Sequence, residues 1–130
     1  MRRLAVIAVL LGMGACATEA GLQGKTWTWE RTIYNNDTEH TPNEAGAFTL
    51  TFLEDGQVQV TTDCNNMRGS YTIDEHRLTF GQLAATRMYC EGSQEQLFAG
   101  MLENVTSHFI DNDGRLILEL KYDSGSVILR

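Results

Sequence analysis

The amino-acid sequence predicts an α+β fold that is mainly antiparallel β: a small curved sheet or barrel of seven to eight strands with one packed helix. Three observations lead to this class. Short segments of alternating apolar and polar residues recur along the chain, with turn residues about every ten positions. Residues 93–105 instead have apolar residues at helical spacing. The 115 residues after residue 15 (130 minus 15) are enough for one buried core.

The first strand is expected from Thr26 to Ile33, where aromatic and β-branched residues predominate. Trp27 and Trp29 are two positions apart, so both side chains lie on the same face of this strand. Residues 34–46 then contain a cluster of asparagine, aspartate, proline and glycine, which is typical of a long loop. The first strand therefore contributes two tryptophans to one face.

The next two strands form the clearest hairpin in the sequence. Residues 47–54 alternate between apolar and polar side chains, and residues 57–62 resume the alternation. Between them, Asp55-Gly56 is a strong signal for a two-residue hairpin turn. We expect further strands at residues 70–73, 77–80, 106–110, 115–120 and 126–129.

One amphipathic helix is expected from Ser93 to Val105. Its apolar residues recur at intervals of three and four positions between Leu97 and Val105. Ser93 is followed three residues later by Gln96, which is the spacing of a capping box at a helix start. With the short strands predicted elsewhere, we expect a barrel or strongly curved β-sheet on which this helix is a lid or plug.

The N-terminus has the order of a secretory signal peptide. Arg2 and Arg3 precede eight apolar residues, 4–11, and small residues follow. Eight residues are too few to cross a bilayer core, which needs roughly twenty at 1.5 Å each. We expect a signal peptide at residues 1–15, a lipidated cysteine and tether at 16–24, and the domain at 25–130.

Cys16 is the expected lipidation site. The segment Met13-Gly-Ala-Cys16 resembles a lipobox, with small residues before a cysteine, although Met13 departs from the usual Leu, Val or Ile. Acyl chains on Cys16 would hold the protein at the membrane permanently. Ala17 is not the aspartate that marks inner-membrane retention in lipoproteins of this kind, so we expect the periplasmic face of the outer membrane. The alternative is an ordinary signal peptide that leaves Cys16 as a stray thiol.

The charge of the chain argues against nucleic acid as a partner. Loss of Arg2 and Arg3 lowers Lys plus Arg from 10 to 8 against 17 acidic residues, a formal charge of −9. Such a charge repels phosphate backbones and anionic headgroups. We expect attachment to the membrane through lipid on Cys16 and an envelope protein as partner.

Cys64 and Cys90 remain once Cys16 is set aside, and an even pair in an oxidising compartment favours a disulfide. Two buried thiols are the next interpretation. Redox chemistry is a third, but the sequence has no C-x-x-C. His40, His76 and His108 are scattered without ligand spacing, so we expect no metal and no cofactor.

Three motifs occur in the centre of the chain: D-C-N-N-M-R-G-S-Y at residues 63–71, L-A-A-T-R-M-Y-C at 83–90 and E-Q-L-F at 95–98. In order and spacing they resemble the META domain, the family that includes the heat-shock lipoprotein HslJ. The resemblance runs from about Gly24 to Arg130, and the family more often has glycine where this chain has Asp63. It implies a compact, mostly antiparallel β-fold with one helix, found mainly in envelope proteins. It also implies kinship to proteins of stress response, and a shape similar to that of pilotins, which escort secretin channels.

Two interpretations of these motifs remain open. In the structural one, Asn65 and Asn66, which tolerate left-handed backbone, bond their own main chain in a turn, and Gly69 relieves steric limits before Tyr71 enters a strand. In the other, Asn65, Tyr71 and Arg87 line a pocket and present hydrogen-bond donors to a bound peptide or anion. Arg87 is expected either to stack on Tyr71 or to pair with a carboxylate such as Asp63 or Glu95.

Catalytic patterns do not occur. The serines lack a nucleophile elbow, no glycine loop is built to hold phosphate, and residues 111–114 resemble a calcium loop only faintly, so a hairpin turn is expected there. Two function classes follow. The first is a non-catalytic envelope lipoprotein that binds a protein partner through an exposed apolar patch. The alternative is a carrier of lipid or small molecules, which needs a sizeable apolar cavity, or a pilotin-like secretion accessory.

Overall fold

The computed structural model describes residues 21–86 and 88–130. Its helix α1 spans Glu95–Glu103, and a 3₁₀ turn spans Lys121–Asp123. The strands are β1 Thr26–Tyr34, β2 Glu39–His40, β3 Thr49–Phe52, β4 Gln57–Thr61, β5 Asn66–Asp74, β6 Arg77–Phe80, β7 Ala84–Ala85, β8 Val105–Ile110, β9 Leu116–Leu120 and β10 Gly125–Leu129.

Eight of these strands close into an antiparallel barrel in the order β1-β3-β4-β5-β6-β8-β9-β10, and β10 pairs with β1 to complete the ring. The short strands β2 and β7 add to β1 and β5. Closure pairs the strand edges that an open sheet would expose. The predicted class, mainly antiparallel β with a barrel of seven to eight strands and one packed helix, is confirmed.

The hairpin predicted at Asp55-Gly56 joins β3 to β4. Asp55 and Gly56 have φ angles of 57° and 79°, as a type I′ turn requires at both central positions. Leu50 pairs with Val60 across the two strands, and both side chains are fully buried. The alternation of apolar residues therefore gave the correct inward face on both sides of the turn.

Strand β5 begins at Asn66, four residues before the start expected from the sequence. Gly69 therefore lies inside the strand, one residue before the expected start at residue 70. A Cβ atom on Gly69 would lie 2.7 Å from the Leu83 side chain and 2.9 Å from the Gln82 carbonyl oxygen. Gly69 is thus required for the close passage of residues 82–83 over β5, and its φ is not positive.

Helix α1 covers one end of the barrel. It is shorter than the expected 93–105, because Val105 already belongs to β8. Phe98 is fully buried, and its ring centroid lies 5.2 Å from that of Trp29 and 5.1 Å from that of Phe48. Trp27 and Trp29, which were predicted to share one face of β1, are both buried, at 1% exposure each.

The chain before β1 covers the barrel near the last residue of β3. Leu22 is fully buried, and its carbonyl oxygen accepts a hydrogen bond from Trp27 Nε1 at 3.2 Å. Gln23 Nε2 donates to Tyr71 Oη at 3.1 Å, and Gln23 also forms a parallel bridge with Phe52. The packed part of the chain therefore includes Leu22, three residues before the domain start expected at Lys25.

His108 on β8 is a buried titratable group of the barrel, with 3% exposure. Its Nδ1 lies 3.2 Å from the His76 carbonyl oxygen. Burial lowers the pKa of His108, and the hydrogen bond to His76 offsets this only in part. Neutral histidine is thus the form that the fold favours.

The free energy of unfolding is expected to fall as the pH is lowered from 7 to 5. His108 in the unfolded chain takes up a proton near pH 6.5, whereas in the folded chain it does so only at lower pH, because its pKa is lowered. Protonation therefore favours the unfolded state, and the contribution of neutral His108 to stability is complete above pH 6.5 and is lost as the pH falls. Urea unfolding at both pH values measures this. His108→Asn should reduce the dependence and His40→Gln, an exposed control, should retain it. An unchanged dependence in His108→Asn would refute the assignment.

Candidate functional site

The three sequence motifs meet in one place, which we call the motif cluster: residues 62–65 after β4, residues 86 and 88–90 before the helix, and residues 93–95 at the helix start. Cys64 and Cys90 form a disulfide across it, with Cα atoms 5.8 Å apart. The expected pairing of these two cysteines is present in the structure. It fixes the loop before α1 to the end of the β3–β4 hairpin.

The side chain of Asn65 is buried in the motif cluster, with 5% exposure, and is fully hydrogen-bonded. Its Nδ2 donates to the Met88 carbonyl oxygen and to Glu95 Oε2, both at 3.0 Å. Its Oδ1 accepts from Thr86 Oγ1 at 2.7 Å and from the Met88 N–H at 3.2 Å. Neither Asn65 nor Asn66 uses the left-handed backbone that asparagine tolerates, and the turn expected at Asn66 is wrong, because Asn66 starts β5.

Two carboxylates complete the motif cluster. Glu95 Oε1 accepts hydrogen bonds from Thr62 Oγ1 at 2.6 Å and from the Asn65 N–H at 2.9 Å. Asp63 Oδ2 accepts from the Gln94 N–H at 3.0 Å, and its Oδ1 accepts from the Ser93 hydroxyl. Asp63 thus caps the N-terminus of α1 from another part of the chain, where an anion is favoured by the helix dipole. The capping box predicted between Ser93 and Gln96 is wrong for the described residues: the N-cap is Gln94, and Ser93 Oγ accepts from the Glu95 N–H at 3.0 Å.

Tyr71 lies away from the motif cluster, six positions along from Asn65. Its hydroxyl donates to the Leu53 carbonyl oxygen at 3.0 Å, and its ring packs edge-on against Phe52 with centroids 4.9 Å apart. The structure therefore places Asn65 and Tyr71 in separate environments, each with its own hydrogen-bond partners. Arg87, the third residue of that candidate site, lies outside the described residues, as do Cys16 and the predicted signal peptide.

The barrel interior is filled by side chains. Its largest fully buried residues are aromatic, each with 0–1% exposure: Trp27, Trp29, Phe48, Phe52 and Phe98. The depressions found among the described residues are open at the surface of the barrel. Aromatic side chains thus occupy the interior of the described barrel, where a carrier would hold an apolar ligand.

The described part of the chain brings no three histidine, cysteine, aspartate or glutamate residues into a metal-binding group. Residues 111–114 form the expected hairpin turn between β8 and β9. Asp111 Oδ1 accepts the N–H groups of Asp113 and Arg115, both at 2.9 Å, and its Oδ2 pairs with Arg115 Nε at 2.9 Å. The pKa of Asp111 is lowered, and the hydrogen bond from the Arg115 N–H is the largest cause. The Asp111 carboxylate is therefore already bonded to groups of its own turn.

The outer wall formed by β8, β9, β10 and β1 carries an apolar groove of about 460 Å³. Phe109, Ile117 and Ile128 are cross-strand neighbours and form its floor with Ile33. Ile117 and Ile128 are buried, whereas Ile33 and Phe109 remain 37% and 46% exposed. We call this the wall groove; it is lined by Ile33, Tyr34, Asn35, Phe109, Asp111, Ile117, Glu119, Asp123, Gly125, Ser126 and Ile128.

Comparison with known proteins assigns the fold to a family. The chain matches the META domain over residues 20–130. It belongs to the META domain family. None of the curated proteins matches it. The resemblance drawn from the central motifs is confirmed at the level of the family.

Two solved structures share the fold of this META domain. A protein from Burkholderia xenovorans, solved by NMR, superposes with a TM-score of 0.70 at 21% identity, over 98% of this chain and 95% of that one. A DUF4847 family protein from Bacteroides vulgatus superposes with a TM-score of 0.67 at 13% identity, over 86% of this chain and 95% of that one. At these identities the likeness is one of fold alone.

The motifs that mark the META domain therefore hold three segments together, and the wall groove lies elsewhere. Sequence reasoning did not find the groove. Residues 116–118 and 127–129 are uninterrupted apolar runs, which depart from strict alternation. That departure was the available sign that the outer face of β9 and β10 is also apolar.

Loss of the disulfide of this META domain is expected to lower the free energy of unfolding by about 3 kcal/mol, since the bond closes a loop of 26 residues. Urea unfolding of the chain with and without a reducing agent measures the change. The double variant Cys64→Ser/Cys90→Ser is the control, because reduction should not alter its stability further. Equal stability of the oxidised and reduced chain would contradict the prediction.

Proposed function

We propose that the chain is a lipoprotein anchored to the periplasmic face of the outer membrane, and that its non-catalytic META domain binds a protein partner in envelope maintenance or stress response. The observation that supports this function best is the wall groove. Apolar surface that is rimmed by polar residues is a common feature of protein interaction sites. Ile33 and Phe109 are partly exposed and lie beside the buried Ile117 and Ile128. A partner that binds there would cover these exposed apolar side chains.

The filled interior favours this function over carriage of lipid or small molecules. A carrier needs a cavity, and the described barrel contains aromatic side chains in that place. Catalysis has equally little support, because the buried polar groups of the motif cluster are hydrogen-bonded to one another. Binding at the outer wall remains the function that these contacts favour.

The short connection to the proposed anchor restricts where a partner can be. Leu22 is packed into the barrel, so residues 17–21 alone separate the domain from Cys16. Six Cα-to-Cα steps of at most about 3.6 Å span roughly 20 Å. The proposed lipid therefore keeps the wall groove within reach of proteins in or at the same membrane.

Complementation in the source bacterium tests the proposal. A deletion strain stressed by detergent or heat should be rescued by the wild-type chain and not by the groove double variant Ile33→Thr/Phe109→Thr. Thr72→Ala/Thr79→Ala, at two exposed strand positions outside the groove, is the matched control and should rescue. Full rescue by the groove variant, at equal protein level, would refute partner binding at this surface.

A further inference from the structure

We infer that the partner segment that occupies the wall groove carries apolar side chains flanked by lysine or arginine. This inference rests on the proposed function and adds the chemistry of the partner. The floor of the groove is apolar, whereas its rim is acidic, with Asp111, Glu119 and Asp123 among its lining residues. No lysine or arginine lines the groove among the described residues.

Two of the rim carboxylates lack a cationic partner within the described residues. Glu119 accepts a hydrogen bond from the Ser126 hydroxyl at 2.8 Å and forms no ion pair, and Asp123 forms none either. Asp111 differs, because Arg115 neutralises it at 2.9 Å. Glu119 and Asp123 thus present negative charge beside an apolar floor. Charges arranged in this way favour a partner of opposite sign and raise its rate of association.

The same charges disfavour the other occupants of an apolar surface. The chain has 17 acidic and 10 basic residues, so a second copy would bring like charges together around a shared apolar contact. An anionic lipid surface would be repelled for the same reason. A segment with apolar and cationic side chains can contact both the apolar floor and the acidic rim of the groove.

The rim is held in a fixed conformation at the turn between β9 and β10. Tyr122 and Asp123 have φ angles of 62° and 54°; aspartate tolerates this left-handed backbone, but for a bulky residue such as Tyr122 it is costly. Asn35 Nδ2 donates to the Asp123 carbonyl oxygen at 2.9 Å and so ties this turn to the loop after β1. Strained backbone of this kind persists where the surroundings impose it, and here it sets the position of a rim carboxylate.

The test uses the full chain in nanodiscs of phosphatidylcholine, with empty nanodiscs as the blank. The probe is a fluorescent peptide of leucine, lysine and glycine, and its matched control has each lysine replaced by glutamate. We expect the lysine peptide to bind at least about tenfold more tightly, with affinity falling as salt is added. Glu119→Gln/Asp123→Asn should weaken its binding about three- to tenfold and flatten the salt dependence.

Matched variants separate this inference from the proposed function. Asp74→Asn/Glu103→Gln removes two exposed carboxylates outside the groove and should leave affinity unchanged. Equal binding of the two peptides, or no effect of Glu119→Gln/Asp123→Asn, would overturn the inference. Self-association of the chain through the groove, shown by its loss in Phe109→Thr, would also overturn the inference. If the two peptides bind equally, or if Glu119→Gln/Asp123→Asn has no effect, the proposed function still stands as long as Ile33→Thr/Phe109→Thr fails to complement the deletion strain. The proposed function falls if Ile33→Thr/Phe109→Thr restores growth of that strain.

Discussion

Replacing Asn65 by alanine is expected to lower the free energy of unfolding by about 3 kcal/mol. The substitution removes an amide that makes four hydrogen bonds in a buried position. Its loss leaves the Met88 carbonyl, the Thr86 hydroxyl and one oxygen of Glu95 without that partner. Unsatisfied buried polar groups cost about 1–3 kcal/mol each, and partial access of water to this part-buried cluster reduces the sum.

Asn66→Ala is the matched control, because Asn66 is the adjacent residue and its side chain is exposed. We expect a change of less than about 0.5 kcal/mol for it. Urea unfolding of both variants, followed by far-ultraviolet circular dichroism, measures the difference. Similar losses in the two variants would mean that the hydrogen bonds of Asn65 do not hold the motif cluster together.

Replacing Cys16 by serine is expected to abolish attachment of lipid and to remove the chain from the outer-membrane fraction. Serine offers no thiol for the diacylglycerol, and each buried CH₂ of an acyl chain contributes about 0.8 kcal/mol to membrane binding. The loss should therefore be essentially complete. The measurements are incorporation of labelled palmitate and the distribution of the chain between membrane fractions.

Cys64→Ser/Cys90→Ser serves as the control for this experiment, since these residues form the disulfide and should not affect labelling. Palmitate incorporation into Cys16→Ser equal to that of the wild type would show that Cys16 is not the anchor. The measurement tests the address of the domain independently of the wall groove.

The sequence was most informative where local signals acted alone. Asp55-Gly56 has the residue types that a type I′ turn demands, and Trp27 and Trp29 alternate with polar residues, so the hairpin and the buried face could be predicted. The start of β5 could not, because Asn66 and Gly69 are poor strand residues. Gly69 is explained only by the residues that cross over it.

The sequence indicated which residues belong to the motif cluster, but it did not indicate how their side chains contact one another. Cys64 and Cys90 suggested a disulfide from their number and compartment. The hydrogen bonds from Asn65 to Glu95 span 30 positions, and no local rule indicates them. Asp63 caps a helix that begins at Glu95, a contact that depends on the closed barrel. In this chain, the described residues of these motifs connect distant segments through hydrogen bonds and a disulfide.

The wall groove was missed because it depends on neighbours across strands. Phe109, Ile117 and Ile128 lie 8 and 11 positions apart on consecutive strands, and they become neighbours only in the register in which β8, β9 and β10 pair. Period-two alternation assigns one face to the core and treats apolar residues on the other as incidental. Only the barrel shows that these residues share one surface with Ile33.

Photo-crosslinking in intact cells tests the central claim most directly, with a photoreactive phenylalanine analogue placed in the full chain at Phe109 or at Tyr89. Phe109 lies in the wall groove, and Tyr89 is an exposed aromatic residue of the motif cluster, at 87% exposure. We predict a defined protein adduct at position 109, mapped to a segment rich in lysine or arginine, and no comparable adduct at position 89. A specific adduct at position 89, with none at 109, would contradict a function located at the wall groove.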